Sequence, residues 1–106
     1  MKMYIVVKNE IPDELIPVIA AHASLACYLQ FKDDERMIRW INGVFRKVVC
    51  SASNDVFEKL KNEGDFICLT ESVLDNIEVS LAFCPRDEYP KIFKYLSKWK
   101  PSGQKK

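Results

Sequence analysis

His22 is the only histidine in the chain, and histidine is the side chain whose ordinary pKa allows proton transfer near neutral pH. It lies in an apolar, small-residue run at residues 15–27, which follows a strand-like segment at residues 3–7. Glu71 follows a later apolar segment. If the fold brings the two side chains together, its carboxylate and the imidazole could act as general acid and base on a water molecule. Lys8 could add an electrostatic contribution. The sequence therefore offers His22 and Glu71 as candidate catalytic residues.

A purely structural role also explains these residues. Apolar side chains at helical spacing on both sides of His22 are typical of a histidine packed between a helix and a sheet. Such a histidine donates a hydrogen bond to a backbone carbonyl. Glu71 opens a polar segment, residues 71–78, which would keep a turn solvated. The sequence leaves both roles open for His22 and for Glu71.

Basic residues could form a surface for phosphate groups, since a nucleic-acid backbone requires several positive charges. The net charge of +1, from 16 basic and 15 acidic side chains, gives no general preference for nucleic acid, so an ordinary solvated surface is the alternative. The candidate substrate-binding residues are Lys8, Arg46 and Lys47, with Lys105 and Lys106 in the tail and Lys91, Lys94 and Lys98 on a predicted last helix.

Composition is that of a soluble globular protein. With 106 residues, 48% of them apolar, the chain can form one domain, predicted over residues 1–100 and followed by a basic tail at 101–106. We find no signal-peptide pattern and no apolar stretch of the roughly 18 residues that a membrane helix needs, so we expect a cytoplasmic protein. The four cysteines lack metal-ligand spacing and lie in apolar segments, which predicts reduced, buried thiols rather than disulfides or a zinc site.

Hydrophobic periodicity predicts alternating strands and helices. The predicted strands are residues 3–8, 45–50, 66–70 and 77–83, and the predicted helices are residues 13–31, 34–42, 55–62 and about 88–100. Asp33 or Asp34 and Ser53 or Asn54 are placed to cap the second and third helices. Intervening helices favour parallel pairing of the first three strands, and the short last connection favours an antiparallel pair. We therefore expect an α/β fold, a three-layer α-β-α arrangement in which a four-stranded mixed sheet carries helices on both faces.

Several segments match a known family in order and spacing. They are Tyr4-Ile-Val-Val7, Val18-Ile-Ala-Ala-His-Ala23, Trp40 with Arg46-Lys-Val-Val49, Leu69-Thr-Glu-Ser72, Asn76-Ile-Glu-Val-Ser-Leu-Ala-Phe83 with Pro85, and Tyr89 to Lys100. Together they resemble the type 2 (archaeal and eukaryotic) peptidyl-tRNA hydrolase family, and within it the short "peptidyl-tRNA hydrolase domain-containing" branch. The resemblance covers nearly the whole chain. It lies in the order of the segments, since none of them is specific alone.

The resemblance implies a four-stranded mixed sheet with flanking helices, and hydrolysis of the ester between a peptide and the 3′ ribose of a tRNA. It implies no metal and no organic cofactor. Typical members carry a lysine and a glutamine on the helix face of the histidine, where this chain has Leu15 and Ile19. Glu71 lies nearest the place of the family's aspartate, and Val79 or its neighbour Glu78 replaces its threonine.

Two functions are consistent with these residues. The first is a peptidyl-tRNA hydrolase-like enzyme in which His22 and Glu71 are the acid–base pair, Lys8 replaces the family's lysine, and peptidyl-tRNA or another RNA binds. The alternative is a non-catalytic binding module that uses the same scaffold for an RNA end, a small ligand or a protein partner. Hydrolysis of another small ester or amide is a third interpretation. Family members often pair, so a homodimer is expected.

Overall fold

The computed structural model describes residues 1–101. Its helices are α1 (Ile16–Phe31), α2 (Glu35–Ile41) and α3 (Asn54–Leu60), and its strands are β1 (Met3–Lys8), β2 (Lys47–Ala52), β3 (Phe66–Glu71), β4 (Ile77–Phe83) and β5 (Ser97–Lys98). Short 3₁₀ turns occupy Asp13–Leu15, Lys61–Glu63, Ser72–Leu74 and Lys91–Tyr95. Most of the predicted tail, including Lys105 and Lys106, lies outside the described residues.

The strands form one mixed sheet with the order β3-β4-β1-β2-β5. β1 and β2 are parallel, with Met3 opposite Lys47 and Lys8 opposite Ala52. β4 is antiparallel to both β1 and β3, and β5 is antiparallel to β2. The α/β class, the parallel β1–β2 pair and the antiparallel β3–β4 pair are therefore confirmed. The expected parallel pairing does not extend to β3, because within residues 1–101 β3 lies at the edge of the sheet beside β4, and the sheet has five strands rather than the four expected.

Alternate residues of β1 pack into different parts of the core, as the two-residue period of a strand requires. Tyr4 and Val6 belong to the cluster that contains Phe57 of α3. Ile5 instead packs in the cluster that contains Ala23 and Cys27 of α1. Each large apolar side chain buried in this way contributes about 1.5–3 kcal/mol, so both clusters hold their helices against the sheet.

Local capping explains where α2 and α3 begin. Asp34 Oδ1 accepts a hydrogen bond from the backbone N–H of Arg36 at 2.8 Å, and Ser53 Oγ accepts one from that of Val56 at 3.3 Å. Both side chains satisfy backbone donors that a helix N-terminus leaves unpaired. The prediction that these two helices begin at polar caps is confirmed.

The predicted last helix is wrong. A 3₁₀ turn at Lys91–Tyr95 is followed by β5, and the backbone N–H of Trp99 donates to the carbonyl of Val49 at 2.9 Å. The edge of β2 offers unpaired backbone groups, and the apolar residues of this segment pack on the α3 cluster without needing a regular helix. As a consequence, Lys91, Lys94 and Lys98 do not share a helix face.

Two further expectations are corrected. β2 begins at Lys47 rather than at Phe45, because Phe45 has a φ of 35°, in the left-handed region that a strand does not use. The segment Asp13–Phe31 has 19 residues, and an 18-residue window within it has a mean hydropathy of 1.3, so by length and composition it is long and apolar enough to cross a membrane. This is weak evidence for a membrane, since a core helix passes the same test and α1 buries Ile19 and Ala23 against the sheet.

Candidate functional site

An apolar groove lies between α1 and the segment that joins α2 to β2. Ile5 of β1 and Val49 of β2 line it from the sheet, and Ala21, Leu25 and Tyr28 line it from α1. Its volume of about 490 Å³ is within the range of small-molecule sites. Because these side chains carry almost no polar groups, the groove is suited to an apolar ligand.

A lysine and two aromatic rings define the other side of the groove. Lys47 Nζ lies 5.2 Å from the ring centroid of Trp40 and 4.7 Å from that of Phe45. It also donates a hydrogen bond to the Phe45 carbonyl at 3.0 Å. An ammonium group has three donors, so two remain for an anion. Arg46, the next residue, is exposed and adds a second positive charge at this end.

The geometry of this side depends on a strained backbone position. A positive φ at a bulky residue such as Phe45 is rare and costs roughly 1–3 kcal/mol. Trp40 supports the turn in two ways. Its ring packs edge-on against the Phe45 ring, with 6.0 Å between the ring centroids, and its Nε1–H donates a hydrogen bond to the Arg46 carbonyl at 2.8 Å. Strain retained beside a groove indicates that the surrounding contacts fix the Phe45 ring there.

His22 lies beside the stripe of α1 that faces the sheet. That stripe is formed by Ile16, Ile19, Ala23 and Cys27, which recur every three or four residues, whereas His22 is exposed. The interpretation that His22 is packed between the helix and the sheet is therefore wrong. Within residues 1–101, its side chain forms no hydrogen bond or ion pair, and it does not line the groove.

The structure separates Lys8 from His22. Lys8 Nζ lies over the Phe57 ring at 4.9 Å, in contact with α3, whereas α1 packs against the alternate residues of β1. Lys8 therefore extends away from the helix that carries His22. Glu71 ends β3 and is half-buried, and its carbonyl accepts a hydrogen bond from Asn76 N–H at 2.8 Å.

The three candidate substrate-binding residues do not form one rim. Lys8 and Lys47 stand at opposite ends of the β1–β2 ladder, opposite Ala52 and Met3 respectively. Five residue steps at about 3.3 Å each separate these ends by roughly 16 Å. Only Lys47 lines the groove, with Arg46 next to it in the chain.

A charged cluster on the α3 side was not predicted. Lys61 Nζ contacts Glu78 Oε1 at 2.6 Å and Glu58 Oε2 at 3.0 Å. The hydrogen bond that Lys61 donates lowers the pKa of Glu78, and the hydrogen bonds that it donates to both carboxylates raise the pKa of Lys61. A general base at neutral pH needs a raised carboxyl pKa, so this pairing supports a structural role for Glu78.

The cysteines are free thiols, and Cys27, Cys50 and Cys84 are buried. Burial raises the pKa of Cys27 to about 12 and those of Cys50 and Cys84 to about 11. Neutral thiols are poor nucleophiles and poor metal ligands. Within residues 1–101, no three His, Cys, Asp or Glu side chains are grouped so that they could hold a metal ion.

One feature of the sequence points to the groove, although helical periodicity does not reveal it. Residues 15–27 are apolar at almost every position, so α1 has no polar side to leave in water.

No protein-family model and no curated protein matches this chain.

Proposed function

We propose that this protein is a binding module whose groove holds a small apolar molecule with a negatively charged end. The observation that carries this proposal is a groove of about 490 Å³ that is lined by apolar side chains and has the Lys47 ammonium at its rim. Among the alternatives predicted from the sequence, this is the binding module with a small ligand.

The two parts of the ligand would contribute differently. Covering apolar surface stabilises a complex by about 25 cal/mol per Å² of area removed from water, so the chain or ring of the ligand supplies most of the affinity. The contact with Lys47 is solvated, and exposed ion pairs contribute only about 0.2–1 kcal/mol. The charge would therefore set the preference between ligands of equal apolar size.

The first experiment tests the apolar wall. The probe is 8-anilinonaphthalene-1-sulfonate, an aromatic sulfonate whose fluorescence rises in apolar surroundings, displaced by decanoate. Leu25→Asn should weaken both ligands at least about fivefold, because it places an amide in the groove. Leu29→Asn is the matched control, since Leu29 lies on the same helix with 57% exposure against 59% for Leu25 but does not line the groove. Equal binding to the two variants would contradict the proposal.

The second experiment tests the charged end. Decanoate should bind about two- to fivefold more tightly than decanol, as expected for a solvated ion pair. Lys47→Met should remove this preference, whereas Lys59→Met, an exposed lysine on α3, should retain it. If Lys47→Met still prefers decanoate, another residue recognises the negative charge of the ligand and the assignment to Lys47 is wrong.

Peptidyl-tRNA hydrolysis is the second candidate function, favoured by the exposed imidazole of His22, which has no partner within residues 1–101. We propose it on the resemblance together with this exposure. If it is correct, purified protein releases peptide from peptidyl-tRNA, and His22→Ala slows release at least about a hundredfold, the lower end of the typical contribution of a general base. Gln30→Ala, another exposed position on α1, should leave the rate unchanged. Release that is absent, or unaffected by His22→Ala, would remove this function.

The packing supports two further inferences. Since α1 and α3 pack with alternate residues of β1, we infer the three-layer α-β-α arrangement. Because α1 buries one side on the sheet rather than standing free, we infer a soluble protein and propose the cytoplasm as its location.

A further inference from the structure

The chain leaves the two parallel strands in different directions. After β1 it continues into α1, which packs with Ile5, and after β2 it continues into α3, which packs with Tyr4 and Val6. These residues of β1 alternate, so the two helices lie toward different faces of the sheet. In open α/β sheets, such a divergence opens a crevice outside the carboxyl ends of the two strands, and ligands bind there.

A cavity of about 340 Å³ is present at this position. Asn9, which follows β1, and Ser51 and Ser53, at the end of β2, line one part of it. The C-terminal segment encloses it through Tyr95 and Ser97. Because β5 pairs with β2 at Ser51, the enclosing segment is fixed to the strand whose end it covers.

The lining has hydrogen-bonding groups but no charge. No acidic or basic side chain of the described residues lines the cavity. Ser53 Oγ accepts a hydrogen bond from Val56 N–H and keeps its own O–H to donate. In the part of the chain that the structure describes, the side chains of Asn9 and Tyr95 have no hydrogen-bond partner. Tyr95 is 83% exposed, so the face of its ring is open for stacking.

We propose that this crevice binds an uncharged ring compound that stacks on Tyr95 and hydrogen-bonds the Asn9 side chain and the Ser53 hydroxyl. This chemistry is shared by a nucleoside and a carbohydrate. The crevice is separate from the groove, which lies further toward the start of β2, at Lys47 and Val49. The inference therefore does not depend on the function proposed for the groove.

The test is a ¹H–¹⁵N NMR titration of the full chain with adenosine, uridine and maltose in separate experiments. Binding should shift the backbone amides of residues 9, 51–53 and 95–97, and the probe that produces the shifts identifies the class of ligand. Tyr95→Ala should weaken binding at least about fivefold, as expected for the loss of a stacking platform, and Tyr95→Phe should keep most of the affinity. Because Tyr95 is exposed, neither substitution threatens folding.

Val73→Ala is the control, since Val73 is 73% exposed and lies in the 3₁₀ turn after β3. Two results would overturn the proposal. One is that none of the three probes shifts these amides at millimolar concentration. The other is that shifts occur but persist with the same affinity in Tyr95→Ala.

Discussion

Asp34 combines a helix cap with an ion pair. Its Oδ1 accepts the backbone N–H of Arg36 at 2.8 Å, and its Oδ2 contacts Arg36 Nη2 at 2.8 Å. The side-chain and backbone hydrogen bonds from Arg36 lower the pKa of Asp34 from 3.8 to about 2. An acid whose pKa is lowered in the folded state stabilises that state above its ordinary pKa, and this contribution is lost as the pH falls through the folded-state pKa.

Two substitutions separate the cap from the ion pair. Asn caps a helix as well as Asp does, so Asp34→Asn removes only the pair, whereas Asp34→Ala also removes the cap and should cost about 1 kcal/mol more at pH 7. The difference between wild type and Asp34→Asn should be present at pH 7 and be lost only at about pH 1, below the folded-state pKa of about 2. Urea denaturation at both pH values measures the free energies of unfolding. The exposed neighbour Asp33, changed to Asn, is the control, and a pH-independent difference would contradict the assignment.

Single-residue features were predictable where their cause is local. The caps at Asp34 and Ser53 follow from residue types within one turn of each helix. The exposure of His22 was not predictable in this way, because an apolar run without a polar side does not show which stripe of the helix faces the sheet. That choice is made by contacts with β4, β3 and β1, which are distant in sequence.

At the scale of elements, α1 is apolar on both sides. Its inner side packs on the sheet, but Val18, Leu25 and Leu29 are exposed, and their spacings of seven and four residues place them on one stripe. Contiguous exposed apolar surface is typical of a protein–protein contact. We propose that two copies pair through this stripe, which includes Leu25 at the groove.

Charged substitutions on this stripe test the pairing. In sedimentation velocity, wild type should shift from monomer to dimer as its concentration rises to the millimolar range, and Val18→Glu or Leu29→Glu should hold it monomeric. Neither residue lines the groove, so ligand binding should be retained. Val73→Glu introduces the same charge at an exposed apolar position outside α1. A wild type that stays monomeric, or a dimer that persists in Leu29→Glu, would rule out pairing through α1.

The C-terminal element shows why periodicity alone misassigned residues 88–100. Ile92, Phe93 and Leu96 fit helical spacing, but they also fit a segment that lies over the α3 cluster. A short helix is costly to nucleate, and Pro90 and Pro101 limit its length here. The segment therefore pairs its backbone with β2 as β5, and the local sequence does not show that β2 is its partner.

At the scale of the whole molecule, the order of elements up to β4 and the mixed character of the sheet follow from the sequence. The arrangement of the site does not. Lys8 follows Tyr4 and Val6 at two-residue steps and so shares their side of β1, but only the structure shows that α3 covers that side. Lys47 was a candidate for binding from its charge alone, and its two aromatic neighbours became apparent only from the turn at Phe45.

The central place of β1 has a consequence for how the protein is made. β1 is synthesised well before β4, which is one of its two neighbours in the sheet. Until β4 is made, the N–H and C=O groups along one edge of β1 stay unpaired, which is a hazard for aggregation. Nascent chains that stop before Ile77 should therefore fail to fold and should require chaperones, and the native structure should form in one late, cooperative step.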